Sequence, residues 1–156
     1  YSEVGKGTTF KIYLPLVDSE AIQFVANEKP ILKRGAETVL LAEDDKDVRD
    51  MIKTVMQNAG YTVIEAVDGN EAVNKFKADK DRIGLIVFDI VMPKKNGKEA
   101  YEEIRKVNPG IKALFTSGYT AEIIHQKGIL DIGLNFISKP VLPDDLLRKM
   151  REVLDS

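Results

Sequence analysis

Short apolar runs alternate with stretches whose apolar residues recur at helical spacing, and this alternation occupies Thr38 to Ser156. Thr38 to Ala42, Thr62 to Ala66, Leu85 to Phe88, Lys112 to Thr116 and Leu134 to Ile137 are brief and mostly apolar, so they predict five strands. Lys46 to Ala59, Gly69 to Ala78, Gly97 to Val107, Ala121 to Lys127 and Pro143 to Leu154 predict five amphipathic helices. In the first of these Val48, Ile52, Val55 and Met56 fall on one face. Turn residues at Gly60, Asp68-Gly69, Asn96-Gly97 and Asn108-Pro109-Gly110 separate the elements. Strands joined by helices imply right-handed crossovers and a parallel, doubly wound α/β sheet with helices on both faces.

The first 37 residues follow a different pattern. Gly5-Lys6-Gly7-Thr8 predicts a turn, and the alternation from Thr9 to Leu14 predicts a half-buried strand stopped by Pro15. A phosphate-cradling loop needs GxxxxGK[ST] ahead of a helix, and this stretch has neither. From Val17 to Glu37 periodicity is lost, and Pro30, Lys33, Arg34 and Gly35 mark a polar linker. The domain boundary is expected near Arg34 to Glu37.

With 44% hydrophobic and 31% charged residues in 156, the chain suits one domain with a full core plus an extension. A net charge of -2 with both signs interleaved gives no electrostatic footprint for nucleic acid. No apolar run is long enough to span a bilayer. Cysteine is absent, which excludes disulfides and thiolate zinc sites. The start at Tyr1 in mid-pattern predicts a fragment of a longer protein.

In a parallel sheet every strand points its carboxyl end at one rim, so the residues just after the strands form a candidate site. They are Glu43, Asp44 and Asp45 after the first strand, Asp89 after the third, Ser117 after the fourth, and Lys139 before Pro140 after the fifth. Crowded carboxylates stay ionised when a cation neutralises them, and oxygen ligands without His or Cys favour Mg²⁺. A carboxylate nucleophile can then form an acyl phosphate, with an ammonium and a hydroxyl receiving the phosphoryl oxygens. These roles fall to Asp89, Lys139 and Ser117. Taken singly the residues have blander uses: Asp44 or Asp45 as a helix cap, Lys139 as a surface lysine, Ser117 as a turn residue. His125, in a predicted helix, is assigned no role.

LLAEDDKDVR, VFDIVMP, LFTSGYT and FISKP, in this order, resemble the receiver domain of two-component response regulators. The resemblance implies a flavodoxin-like five-stranded sheet of order 2-1-3-4-5. It also implies that Glu43 and Asp44 are the acidic pair, with Asp44 a direct Mg²⁺ ligand and Glu43 acting through water. Asp89 is then the phosphoacceptor, the Val91 backbone carbonyl a further metal ligand, Ser117 the switch hydroxyl and Phe136 the switch aromatic. Lys139 is the phosphate-pairing lysine before a cis Pro140. Glu43 stands where the family more often has Asp, and Phe136 lacks the hydroxyl of the more familiar Tyr. SEVGKGTTFKIYLP resembles the last hairpin of the ATP-binding domain of sensor histidine kinases.

Together these imply a kinase remnant at residues 1–16, a linker at 17–36 and a receiver at 37–156, the order of a hybrid sensor histidine kinase. The phosphoryl donor is then a phosphohistidine on a histidine kinase or histidine phosphotransfer domain, in cis or in trans. The fragment is expected to be cytoplasmic, without direct nucleic-acid or membrane contact, in a parent that is membrane-anchored or not. Two rivals remain. A degenerate receiver would serve only as an interaction module. A phosphatase with an Asp nucleophile would ordinarily carry a second carboxylate two residues on, where Val91 stands.

Overall fold

The computed structural model describes residues 1–13, 35–118 and 134–156. The predicted helix Ala121 to Lys127 with His125, most of the predicted linker, and Leu14 with Pro15 lie outside the described residues. The chain divides into two units, Tyr1–Pro30 and Ile31–Ser156.

In the first unit β1 (Ser2–Glu3) pairs antiparallel with β2 (Gly7–Thr8). Gly5 (φ 80°) and Gly7 (φ 100°) take the left-handed backbone that the turn requires. The strand expected from Thr9 onward is not formed over residues 9–13, where Phe10, Ile12 and Tyr13 are 86%, 84% and 85% exposed. Alternation produces a strand when a sheet is present to cover its apolar side, and a hairpin of two residues per strand offers no such surface.

The second unit holds β3 (Thr38–Ala42), β4 (Thr62–Ala66), β5 (Ile83–Asp89), β6 (Lys112–Ser117) and β7 (Asn135–Ser138), in the spatial order β4-β3-β5-β6-β7. All four pairings are parallel. Numbered within this unit the order is 2-1-3-4-5, as the resemblance implies. The helices are α1 (Lys46–Asn58), α2 (Gly69–Asp79), α3 (Gly97–Val107) and α4 (Pro143–Asp155). Strand β5 exceeds the predicted run at both ends and includes Asp89, because a central strand is paired on both sides as far as its neighbours extend.

The helix starts are set by local chemistry. Asp45 caps α1, accepting from the N–H groups of Asp47 (2.9 Å) and Val48 (3.0 Å). Asp68 caps α2 through Glu71 N–H (2.9 Å), and Asn96 with Glu99 forms a reciprocal capping box on α3. Pro143 opens α4 at a position whose N–H has no helical acceptor. Helix α1 stops at Gly60 (φ 101°), whose N–H reaches the Gln57 carbonyl at 2.9 Å.

The pleat sorts the strand residues between two cores. Leu40, Ile86, Phe88, Ala113 and Phe115 pack with Val73 and Phe76 of α2 and Tyr101 and Ile104 of α3. Val39, Leu41, Leu85, Val87 and Leu114 pack on the other face with Ile52 and Met56 of α1 and Leu146, Met150 and Val153 of α4. The same parity, carried one step past the last paired residues, decides on which side the rim residues emerge.

Candidate functional site

Ala42 of β3 pairs with Phe88 of β5, so Glu43 and Asp89 stand level at the carboxyl rim, both in the parity of the α1/α4 face. Both are buried, at 1% and 6% exposure. Two buried carboxylates side by side require a counter-charge, and Lys139 supplies it. Its Nζ lies 2.8 Å from Glu43 Oε2 and 2.9 Å from Asp89 Oδ2. Lys139 reaches back from just beyond β7, where its own N–H donates to the Ser117 carbonyl at 2.7 Å and the Lys139–Pro140 bond is cis. The exposed Asp44 joins them, and Glu43, Asp44 and Asp89 each offer an oxygen within 4.8 Å of the others.

Burial raises the Glu43 pKa, the hydrogen bond from Lys139 opposes this, and the Asp89 charge reinforces it. For Lys139 burial pushes the pKa down, but hydrogen bonds to Asp89 and Glu43 and the charges of both outweigh it, and the net shift is upward. The lysine is therefore held as a cation between two carboxylates.

The loop from β5 to α3 is gripped on several sides. Val91 N–H donates to Asp89 Oδ1 at 3.3 Å, while the Val91 side chain is 57% exposed. A side chain at Gly97 would place its Cβ 2.2 Å from the Asp89 carbonyl oxygen, so only glycine allows α3 to start this close to the phosphoacceptor candidate. Lys94, at φ 64°, bonds Asp68 at 2.6 Å, and the Gly69 N–H donates to the Lys95 carbonyl at 3.2 Å. The turn that caps α2 thus also anchors the loop after Asp89.

Of the predicted site residues, Glu43, Asp44, Asp89 and Lys139 converge. Val91 adjoins them. Ser117 is fully buried at the end of β6, one residue beyond the partner of Asp89, and Phe136 lies opposite Phe115, half-buried against the α2/α3 core. Asp45 is drawn off as the α1 cap. Sequence reasoning assigned no role to Arg49, which is buried and donates from Nη1 to the carbonyls of Glu43 (2.7 Å) and Asp44 (3.3 Å). Nor did it assign one to the Asp68–Lys94 pair. A charge on an amphipathic helix normally faces water, and its apolar spacing alone did not show otherwise.

The sequence matches the family model described as response regulator receiver domain over residues 39–151. The sensor kinase CckA of Brucella abortus strain 2308 is 37% identical over 162 residues, a match that takes in 99% of this chain and 17% of that kinase. Chemotaxis protein CheY of Thermotoga maritima is 34% identical over 116 residues, covering 74% of this chain and 95% of that protein. Among solved structures, the receiver domain from hybrid histidine kinase CckA superposes with a TM-score of 0.65 at 26% identity, covering 75% of this chain and 98% of that one. The CheX–CheY–BeF₃–Mg²⁺ complex from Borrelia burgdorferi gives 0.68 at 26% identity, covering 75% of this chain and 88% of that one. The chain thus spans about a sixth of the length of the sensor kinase that it matches almost end to end. A family match over most of the chain, joined to a flavodoxin-like sheet with an acidic rim, makes this chain a member of the response regulator receiver domain family of two-component systems.

Proposed function

We propose that the chain is a phosphoacceptor, taking a phosphoryl group from a phosphohistidine onto Asp89 and changing its partner-binding face in response. The observation that carries this reading is the ammonium of Lys139 shared between Asp89 and Glu43, with Asp44 beside them. In the step itself an Asp89 oxygen attacks phosphorus as the P–N bond to the imidazole breaks. The imidazole leaves with the electron pair and takes a proton from solvent, and the product is an aspartyl phosphate. Lys139, already cationic, moves from the carboxylate to the new phosphoryl oxygens, and Ser117 supplies a hydroxyl to another.

The donor set fits Mg²⁺: three clustered carboxylates, oxygen ligands, and no His or Cys among them. Asp44, Asp89 and the Val91 carbonyl would hold it directly. Glu43, whose two oxygens already accept from Lys139 (2.8 Å) and Asp45 N–H (3.4 Å), would act through water. Bound there, Mg²⁺ supplies positive charge to the oxygens of the transferring group.

Phosphorylation would draw Ser117 toward the new oxygens, and Phe136 would follow into the space vacated, remodelling the surface near β7. The exposed Val91 offers no acid-base group two residues after Asp89, which supports holding a phosphoryl group rather than hydrolysing it. The match to CckA through the N-terminal hairpin supports a parent hybrid histidine kinase, with residues 1–16 a remnant of its ATP-binding domain, 17–36 a linker and 37–156 the receiver. The donor would be that kinase or a histidine phosphotransfer domain, on the cytoplasmic side. No described helix is long and apolar enough to cross a membrane.

The test is Mg²⁺-dependent labelling of the full chain by a small acyl phosphate, read by intact mass. Label located on Asp89, abolished by Asp89→Asn and by removal of Mg²⁺, is the expected result. An Asp89→Asn chain that labels as well as the parent would overturn the assignment.

A further inference from the structure

Arg49 sits in the first turn of α1, where the helix dipole disfavours a cation. It is also buried, and an arginine is seldom buried unless its donors are engaged. Two unfavourable placements in one residue call for a compensating role, which its contacts supply. Nη1 donates to the backbone carbonyls of Glu43 at 2.7 Å and Asp44 at 3.3 Å. Nε lies 3.5 Å from Glu65 Oε2 on β4. Glu65 is in turn held by Lys53 of α1 at its other oxygen, and its carbonyl accepts from Lys75 of α2.

We propose that Arg49 is a positioning residue for the acidic rim: its guanidinium pins the backbone of Glu43 and Asp44 so that their carboxylates meet Asp89 in a cation-binding arrangement, and Glu65 orients the guanidinium. The inference rests on the Mg²⁺ reading above. Because the contacts to residues 43 and 44 run to carbonyl oxygens, Arg49 stiffens the loop without using the carboxylate oxygens of either residue. One nitrogen, Nη1, serves both carbonyls, and the rigid plane of the guanidinium fixes it relative to Nε, which faces Glu65, whereas a lysine ammonium is a single point charge on a flexible stem. Partners behind metal ligands, when removed, commonly weaken metal binding by about 10–100-fold.

The experiment is calorimetric Mg²⁺ titration of the full chain, parent against Arg49→Gln, Arg49→Lys, Glu65→Gln and Arg151→Gln, with each thermal midpoint measured in chelator. Arg151 clamps Glu37 at the opposite end of the sheet, through contacts of 2.9 and 3.2 Å, and serves as the purely structural comparison. Arg49→Gln is expected to weaken Mg²⁺ binding by about 10–100-fold. Arg49→Lys should restore part of the loss and Glu65→Gln should cost a smaller factor, while Arg151→Gln lowers the midpoint and leaves affinity unchanged. Parent-like affinity in Arg49→Gln, or an equal loss in Arg151→Gln, would overturn the positioning role. If Arg49→Gln does not fold, unchanged affinity in Glu65→Gln overturns it. A parent chain that does not bind Mg²⁺ would overturn the metal reading as well, so the two failures are distinguishable.

Discussion

Asp44 and Asp45 are neighbours of one residue type with opposite duties in the structure. Asp45 turns back to cap α1, and Asp44 faces the other carboxylates. Asp45→Ala should therefore cost about 1 kcal/mol of stability, the usual value of a lost cap, and leave Mg²⁺ binding intact. Asp44→Ala should weaken Mg²⁺ binding strongly, and removing a like charge from the cluster should leave stability unchanged or raised. Urea unfolding and calorimetry separate the two, and equal losses of affinity would show the acidic register to be wrong. At this scale the rim positions of Asp89 and Lys139 were legible because each stands at the end of an apolar run, although Lys139 taken singly also read as a surface lysine. The division between Asp44 and Asp45 came from the family resemblance, which pairs Asp44 with Glu43; residue chemistry alone left either free to cap the helix. Arg49 was hidden by its helical neighbours, because burial of a charged side chain is a property of the assembled loop.

Helices α2 and α3 were legible almost to the residue, but the electrostatics that join them were not. Glu103 of α3 bonds Lys77 of α2 at 2.8 Å and also Lys95 of the loop after Asp89. Hydrogen bonds from Lys77 and Lys95 lower its pKa from 4.5 to about 2. A carboxylate whose pKa is lower in the folded chain stabilises it above the unfolded value and loses that contribution as pH falls through the folded one. The bond from Lys94 lowers Asp68 in the same direction, and the pairing with Arg151 lowers Glu37. The thermal midpoint should therefore fall as the pH drops from about 4.5 toward 2, and Glu103→Gln should start lower and fall less steeply. A Glu103→Gln profile parallel to the parent's would mean that the two lysines contribute nothing to folding. The strand expected from Thr9 is the contrasting case: its alternation was legible, but the surface to satisfy it is not found among the described residues of its unit.

Across the receiver unit, one sheet separates two cores that share every strand. Loss of either face uncovers the same strands, whose alternate residues hold the other core, so the unit should unfold in a single transition. Phe76→Ala on the α2/α3 side is expected to cost about 3–5 kcal/mol and Met150→Ala on the α1/α4 side about 2–5 kcal/mol. Both residues are fully buried, and both variants should shift the one transition seen in urea by circular dichroism and tyrosine fluorescence. Two separated transitions in either variant would show that the cores fold independently. The sequence by itself determined the order of the described strands and helices from Thr38 onward, the parallel sheet and the set of residues that follow its strands at the carboxyl rim, because apolar period and turn chemistry are local and a parallel sheet has one such rim. Only the tertiary structure decided that Glu43 and Asp89 lie level under one ammonium, that Asp45 is spent on capping α1, and that Arg49 donates to the Glu43 and Asp44 carbonyls. Strand register and the return of Lys139 from β7 bring together residues up to 96 positions apart, a closeness that no local pattern encodes.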